Sequence, residues 1–164
     1  MVDPISYVID KIEDLIGHDP HPAIVAVPVG AYTVSNICDG LAAATGDKSY
    51  DDAARISMAV GLVGAAASAV TGFRSYSRIP QDRPGDAHSI ATTHGLGNVV
   101  ATGMMAASFI LRVRDHADDR EAGMASRALA LGAGTLTLYT AWLGGKLLQE
   151  LGEGVKKKVS HEEW

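Results

Sequence analysis

Four stretches of the chain carry no Asp, Glu, Lys or Arg: residues 22–38, 56–73, 89–111 and 128–145. A helix needs about 20 mainly apolar residues to cross a bilayer. The third stretch clears that length, and the others reach it by taking in one polar residue at an edge. Charge is collected between them, in GDKSYDDAAR, RIPQDRPGD and RVRDHADDREAG. The pattern predicts an all-α protein, a four-helix transmembrane bundle running up-down-up-down through short connections. The competing reading is a soluble helical bundle with no cofactor. A soluble helix keeps a polar face along its length. ISMAVGLVGAAASAVTGF offers only Ser and Thr, which can bond back to their own helix.

The first segment follows a different period. In PISYVIDKIEDLIG, Ile5, Val8, Ile9, Ile12, Leu15 and Ile16 fall on one helical face, and Asp10, Lys11, Glu13 and Asp14 on the other. It is too short and too charged to span. It predicts an amphipathic helix lying on the membrane surface or packed on a partner protein. Its acidic face gives anionic lipid nothing to attract. The chain thus divides into a peripheral helix (1–17), a transmembrane domain (18–155) and a polar tail (156–164).

Composition refines this picture. The 164 residues suffice for one domain with a core. The apolar residues are mostly small, with 18 Gly and only 5% aromatics. Gly64, Ser68 and Gly72 are spaced by four, as are Gly61, Ala65 and Ala69, which permits close helix contact. A net charge of −5 without a basic stripe excludes nucleic acid as a partner. Cys38 is alone, so no intrachain disulfide forms, and it reads as a small buried hydrophobe. No cleavable signal peptide is visible, since Asp3 precedes any basic residue.

An alternating topology places His18, His21, Arg74, His88, His94, Asn98 and Lys146 at one membrane face. Asp39 and His116 fall at the other, whose remaining charges read as ordinary loop charges. If the third span begins near His88, His94 sits about 9 Å further along it, with Asn98 one turn beyond. An ionisable residue inside a span is a functional candidate because its burial is costly. His21 immediately precedes Pro22, which suits the first turn of a helix. His21 and His94 could therefore face each other and ligate the iron of a b-type haem, with Asn98 beside them. Gly95 and Gly97 would leave room for a flat macrocycle. The bland alternatives are a hydrogen bond from His94 to a neighbouring carbonyl and a helix cap at His21. No zinc motif or nucleotide loop occurs. WLGGK lies in a helical run, and DHADD reads as a solvated connector. No catalytic residue is assigned. The basic run at Lys156 places the histidine face on the cytoplasmic side.

HPAIVAVPVGAYTVSNICD, with His21, Pro22, Pro28 and Asp39, resembles the opening signature of domain-of-unknown-function family 2231. HGLGN resembles its third-span start at His94 and Asn98. WLGGKLLQELGEGV resembles its closing segment at Gly144, Gly145, Gly152 and Val155. The likeness runs from about Gly17 to Val155. It implies a small bacterial or archaeal four-helix membrane protein. Relatives joined to Rieske-type domains imply an electron-transfer setting. The chain departs from the pattern at Ser75 and Tyr76, where the family often has Asp and an aromatic. It departs again at Lys146, where the family often has Glu or His.

The expected function is electron transfer in a prokaryotic cell membrane through haem b on His21 and His94. The lipid bilayer and redox subunits are the expected partners. The alternative is a non-catalytic accessory subunit of a larger respiratory or redox membrane complex.

Overall fold

A computed structural model describes residues 4–81 and 86–153. The basic run at Lys156 and the polar tail lie outside the described residues. Five helices make up the fold: α1 (Pro4–Ile16), α2 (His21–Thr45), α3 (Lys48–Ser77), α4 (Ala87–Ala117) and α5 (Met124–Gln149). No strand occurs among the described residues.

Local chemistry sets the boundaries. Asp19 accepts the His21 backbone N–H at 2.9 Å, satisfying one orphan donor of α2, and Pro22 needs no partner there. Gly46 ends α2 in the left-handed region, φ 70°, and its N–H returns to the Ala42 carbonyl at 2.9 Å. Asp47 then caps α3 by accepting from the Ser49 N–H at 2.9 Å. The α2–α3 connection is therefore two residues long.

Helix α2 packs on α3, α3 on α4, α4 on α5, and α5 returns to α2, closing a ring. His21, Pro28 and Tyr32 of α2 lie against Gly72, Gly64 and Gly61 of α3, so these two helices run in opposite directions. His94, Gly97 and Met104 of α4 lie against Gly144, Thr140 and Gly132 of α5 in the same descending order. The small-residue stripe of α3 is thus the seat of α2. A Cβ on Gly61 would sit 2.3 Å from the Tyr32 ring, which only a shift of the helices could relieve.

The bundle is polar and small-residued inside and apolar outside. Its interior holds Tyr32, Met58 and Met105, then Ala54, Ala101, Ala130 and Ala133, with Ser35, Ser108 and Thr140 among them. Its surface carries Phe73 at 76% exposure and Val63 at 73%, with Leu96, Val99, Leu131 and Trp142 also exposed. Water would penalise that surface, whereas lipid does not, and close packing of small residues is how helices associate in lipid. Three helices, α2, α3 and α4, are long and apolar enough to cross a membrane.

Two elements depart from expectation. Helix α4 continues to Ala117, so Arg112 and Arg114 are helical rather than part of a connector. Helix α1 is amphipathic, but its acidic face turns inward onto α3. Ile9 is its buried apolar residue, while Ile5, Val8, Ile12, Leu15 and Ile16 stay exposed.

Candidate functional site

The start of α2 is pinned to the end of α3. Asp19, buried, accepts from the Ser75 hydroxyl at 2.6 Å as well as from the His21 N–H. His21 projects its imidazole onto α3, with Nδ1 3.1 Å from the Thr71 hydroxyl oxygen. The Thr71 hydroxyl donates back to the Ala67 or Ser68 carbonyl, so its oxygen is free to accept the Nδ1 proton. The ring rests on Gly72, where a Cβ would lie 2.7 Å from Cε1.

His94 is held in a matching way by α5. Its Nδ1–H donates to the Thr140 carbonyl at 2.7 Å. That bond fixes the tautomer and leaves Nε2 as the basic nitrogen. The Asn98 amide nitrogen lies 3.3 Å from this Nε2 and donates to the His94 carbonyl at 2.9 Å. Thr140 closes the network by donating its hydroxyl proton to Asn98 Oδ1 at 2.8 Å. Gly144 seats the His94 ring as Gly72 seats that of His21.

The two imidazoles meet edge to face, with ring centroids 6.4 Å apart and planes at 90°. The pairing of His21, His94 and Asn98 expected from the sequence is therefore present. Ligating histidines commonly donate their other ring N–H to a carbonyl or hydroxyl, as both do here. A metal bound at about 2 Å from each of two imidazole nitrogens separates their rings by a comparable span. The ring nitrogen that His94 keeps free, Nε2, already has the Asn98 amide at 3.3 Å. Gly97 does not serve the macrocycle, because the Thr140 methyl fills its face. Gly95 opens to unoccupied space.

The remaining polar groups at this end go elsewhere. His18 bonds locally, to the Asp19 carbonyl. His88 lies against the Tyr76 ring at 4.8 Å, and the Tyr76 hydroxyl pairs with that of Thr92 at 2.9 Å. Lys146 sits over the Trp142 ring at 6.0 Å and near Glu150 at 3.8 Å.

Arg74, only 6% exposed, bonds to Asp10 and to Glu13, the latter at 2.7 Å. Arg78 bridges the same two carboxylates at 2.8 and 2.9 Å. The hydrogen bond from Arg74 holds the Asp10 carboxyl below its ordinary value. Burial raises Glu13, but the two arginines outweigh it and the net shift is downward. The signal was in the sequence: carboxylates three apart on one helix match arginines four apart on another.

At the opposite end, Asp39 and Arg112 form a buried bidentate ion pair, with both bonds at 2.6 Å. Arg112 is 2% exposed. Its Nε donates to Ser108 at 3.3 Å, and the Ser108 hydroxyl donates to the Ser126 carbonyl at 2.7 Å. Arg127 pairs with Asp51 at 3.0 Å on the same side.

Among known proteins, the model of a predicted membrane protein family, DUF2231, matches residues 17–157. The chain belongs to the DUF2231 family. The match takes in α2 to α5 and leaves α1 outside it. No curated protein and no solved structure matches this DUF2231 protein.

Proposed function

We propose that this DUF2231 protein is a four-span, up-down-up-down membrane protein whose His21–His94 pair holds the iron of haem b for electron transfer. The observation that carries the reading is the imidazole pair itself: two rings 6.4 Å apart on different helices, each with its Nδ1 already engaged. When bound, haem supplies one-electron transfer. The chain's part is orientation. The Thr140 carbonyl and Thr71 hydroxyl fix the rings.

Register supports the fourth span. Arg55 and Arg74 bracket the charge-free segment of α3, and Arg127 and Lys146 that of α5, each enclosing about 28 Å of helix, close to the hydrocarbon thickness. Helix α5 is less apolar than the others because of its Gly and Thr residues, yet Leu131, Leu138 and Trp142 face outward. Tyr139 stacks on Trp142, and Lys146 lies over Trp142, the arrangement of an interfacial aromatic belt. The setting is a prokaryotic cell membrane. The basic run at Lys156, which follows α5 in the sequence, supports a cytoplasmic side for the imidazole end.

The test is the optical spectrum of protein purified in detergent after growth with a haem precursor. The expected result is a Soret band with sharp α and β bands on reduction. These should be lost in His94→Ala and in His21→Ala and kept in His116→Ala. A haem-free wild type, or an unchanged spectrum in the double alanine variant, refutes the assignment. A second reading, a non-catalytic accessory subunit of a membrane redox complex, draws on one observation. The Asn98 amide already occupies the approach to His94 Nε2, so the network closes on itself.

A further inference from the structure

Helix α1 runs lengthwise against none of the bundle helices. Its fastening is local. Arg74 and Arg78, one turn apart on α3, both reach Asp10 and Glu13 on α1. The connector to α2 is short, residues 17–20. Gly17 takes a left-handed φ of 81°, and its N–H returns to the Glu13 carbonyl at 2.9 Å. Asp19 of the connector is bonded to Ser75 of α3. The end of α1 is therefore fixed at the depth of Arg74, the residue that closes the charge-free segment of α3.

At about 100° per residue, the circumference of α1 divides into three arcs. Asp10 and Glu13 mark the arc that meets α3, with the buried Ile9 at its edge. Ile5, Val8, Ile12, Leu15 and Ile16 share the second, all of them exposed, Leu15 at 86%. Tyr7, Lys11 and Asp14 share the third and are exposed too, with Lys11 Nζ 5.7 Å from the centre of the Tyr7 ring. Protein, acyl chains and water adjoin at the rim of a membrane bundle, and each arc has the chemistry for one of them. The outer apolar surface of α3 reaches this depth as well: Phe73, the residue before Arg74, is 76% exposed. Charge is balanced within the assembly, since Asp10, Glu13 and Asp14 are matched by Lys11, Arg74 and Arg78.

We propose that α1 is an interfacial anchor: the Arg74–Arg78 clamp lays its apolar arc into the acyl–headgroup boundary and cancels its charge, so that immersion does not depend on headgroup charge. Burial of Ile5, Val8, Ile12, Leu15 and Ile16 supplies the binding. Lys11 and Asp14 face water. Without the clamp, α1 carries a net negative charge, and anionic headgroups repel it. The anchor rests on the membrane reading and is independent of haem.

The experiment uses the full chain carrying Cys38→Ser, in phosphatidylcholine vesicles with and without phosphatidylglycerol. A nitroxide is attached at Val8→Cys, Leu15→Cys or Lys11→Cys. Its collisions with lipid-soluble oxygen and with a water-soluble nickel chelate are measured, and carbonate washing reports insertion. The expected oxygen-to-nickel ratio at positions 8 and 15 is at least about threefold that at position 11, equally in both lipids. In Arg74→Gln/Arg78→Gln the ratio at position 15 should fall by about half or more once phosphatidylglycerol is present. Arg78→Gln alone, at a half-exposed site, gives the same reading where the double variant does not insert. Wild type stripped by carbonate overturns the membrane reading and the anchor with it. Wild type retained, with position 15 open to nickel, overturns the anchor alone. So does a label at position 15 shielded from both probes, because a partner protein or a second copy then covers that arc. Clamp variants whose ratio ignores phosphatidylglycerol overturn the role of the arginines.

Discussion

Replacing Asp39 with alanine should be the most damaging single change at the ion-pair end. The substitution leaves the Arg112 guanidinium at 2% exposure with only the 3.3 Å bond to Ser108. It removes two charge-assisted hydrogen bonds of 2.6 Å, each worth about 1.5–3 kcal/mol. Breaking a buried pair by deleting one partner costs about 3–5 kcal/mol, so the two routes agree near 4 kcal/mol. At about 1.4 kcal/mol per factor of ten, the folded-to-unfolded ratio should fall nearly a thousandfold. Removing both charges is different, because no ion is then stranded. Asp39→Leu combined with Arg112→Met should return to within about 1 kcal/mol of wild type. Equilibrium unfolding in mixed micelles, followed by helical circular dichroism, measures both. A loss below about 1 kcal/mol in Asp39→Ala would refute the buried pair. A double variant as unstable as the single one would refute the stranded-charge explanation.

Gly72→Ala should displace the His21 ring, since the new Cβ would meet Cε1 at 2.7 Å. Overpacking of this kind costs about 1–3 kcal/mol, whereas Gly95→Ala, which meets nothing, should be silent in the same unfolding assay. Docking of α1 should depend on acid: Asp10 and Glu13 are held below their ordinary values by Arg74 and Arg78. A depressed carboxylate contributes stability that is present above its unfolded value and lost as pH falls through the folded one. Amide protection factors in α1, with the intrinsic exchange rate at each pH divided out, should therefore be high at neutral pH and fall below the ordinary carboxylate range. Protection factors at pH 3 matching those at pH 7 would remove the ion pairs from the docking.

The sequence disclosed the apolar lengths, because a run without charge leaves the same mark whatever its neighbours do. It also disclosed His21, His94 and Asn98, since a topology of short connections places them at one end before any packing is known. Side-chain pairing across helices was less legible. Arg112 sat in a charge-rich stretch, and a linear pattern cannot distinguish a solvated helix end from one turned inward onto Asp39. For α1, the pattern predicts an amphipathic helix but not what its acidic face meets. Here Arg74 and Arg78 offer a better partner than water, and the apolar residues are left outside. Gly97 misled for a related reason: a glycine beside a ligand candidate and a glycine under a threonine methyl have the same letter.

The inversion at α1 bears on how the helix meets lipid. An amphipathic helix with a free acidic face is repelled by anionic headgroups. In this fold, Glu13 and the half-exposed Asp10 are paired with arginines of α3. What remains outward is the row of Ile5, Val8, Ile12 and Leu15, at the same end of the bundle as the aromatic pair Tyr139 and Trp142. A helix tethered to α3 with its apolar face outward has its charge penalty settled within the protein. The arginines therefore satisfy the carboxylates and leave the opposite face of α1 exposed.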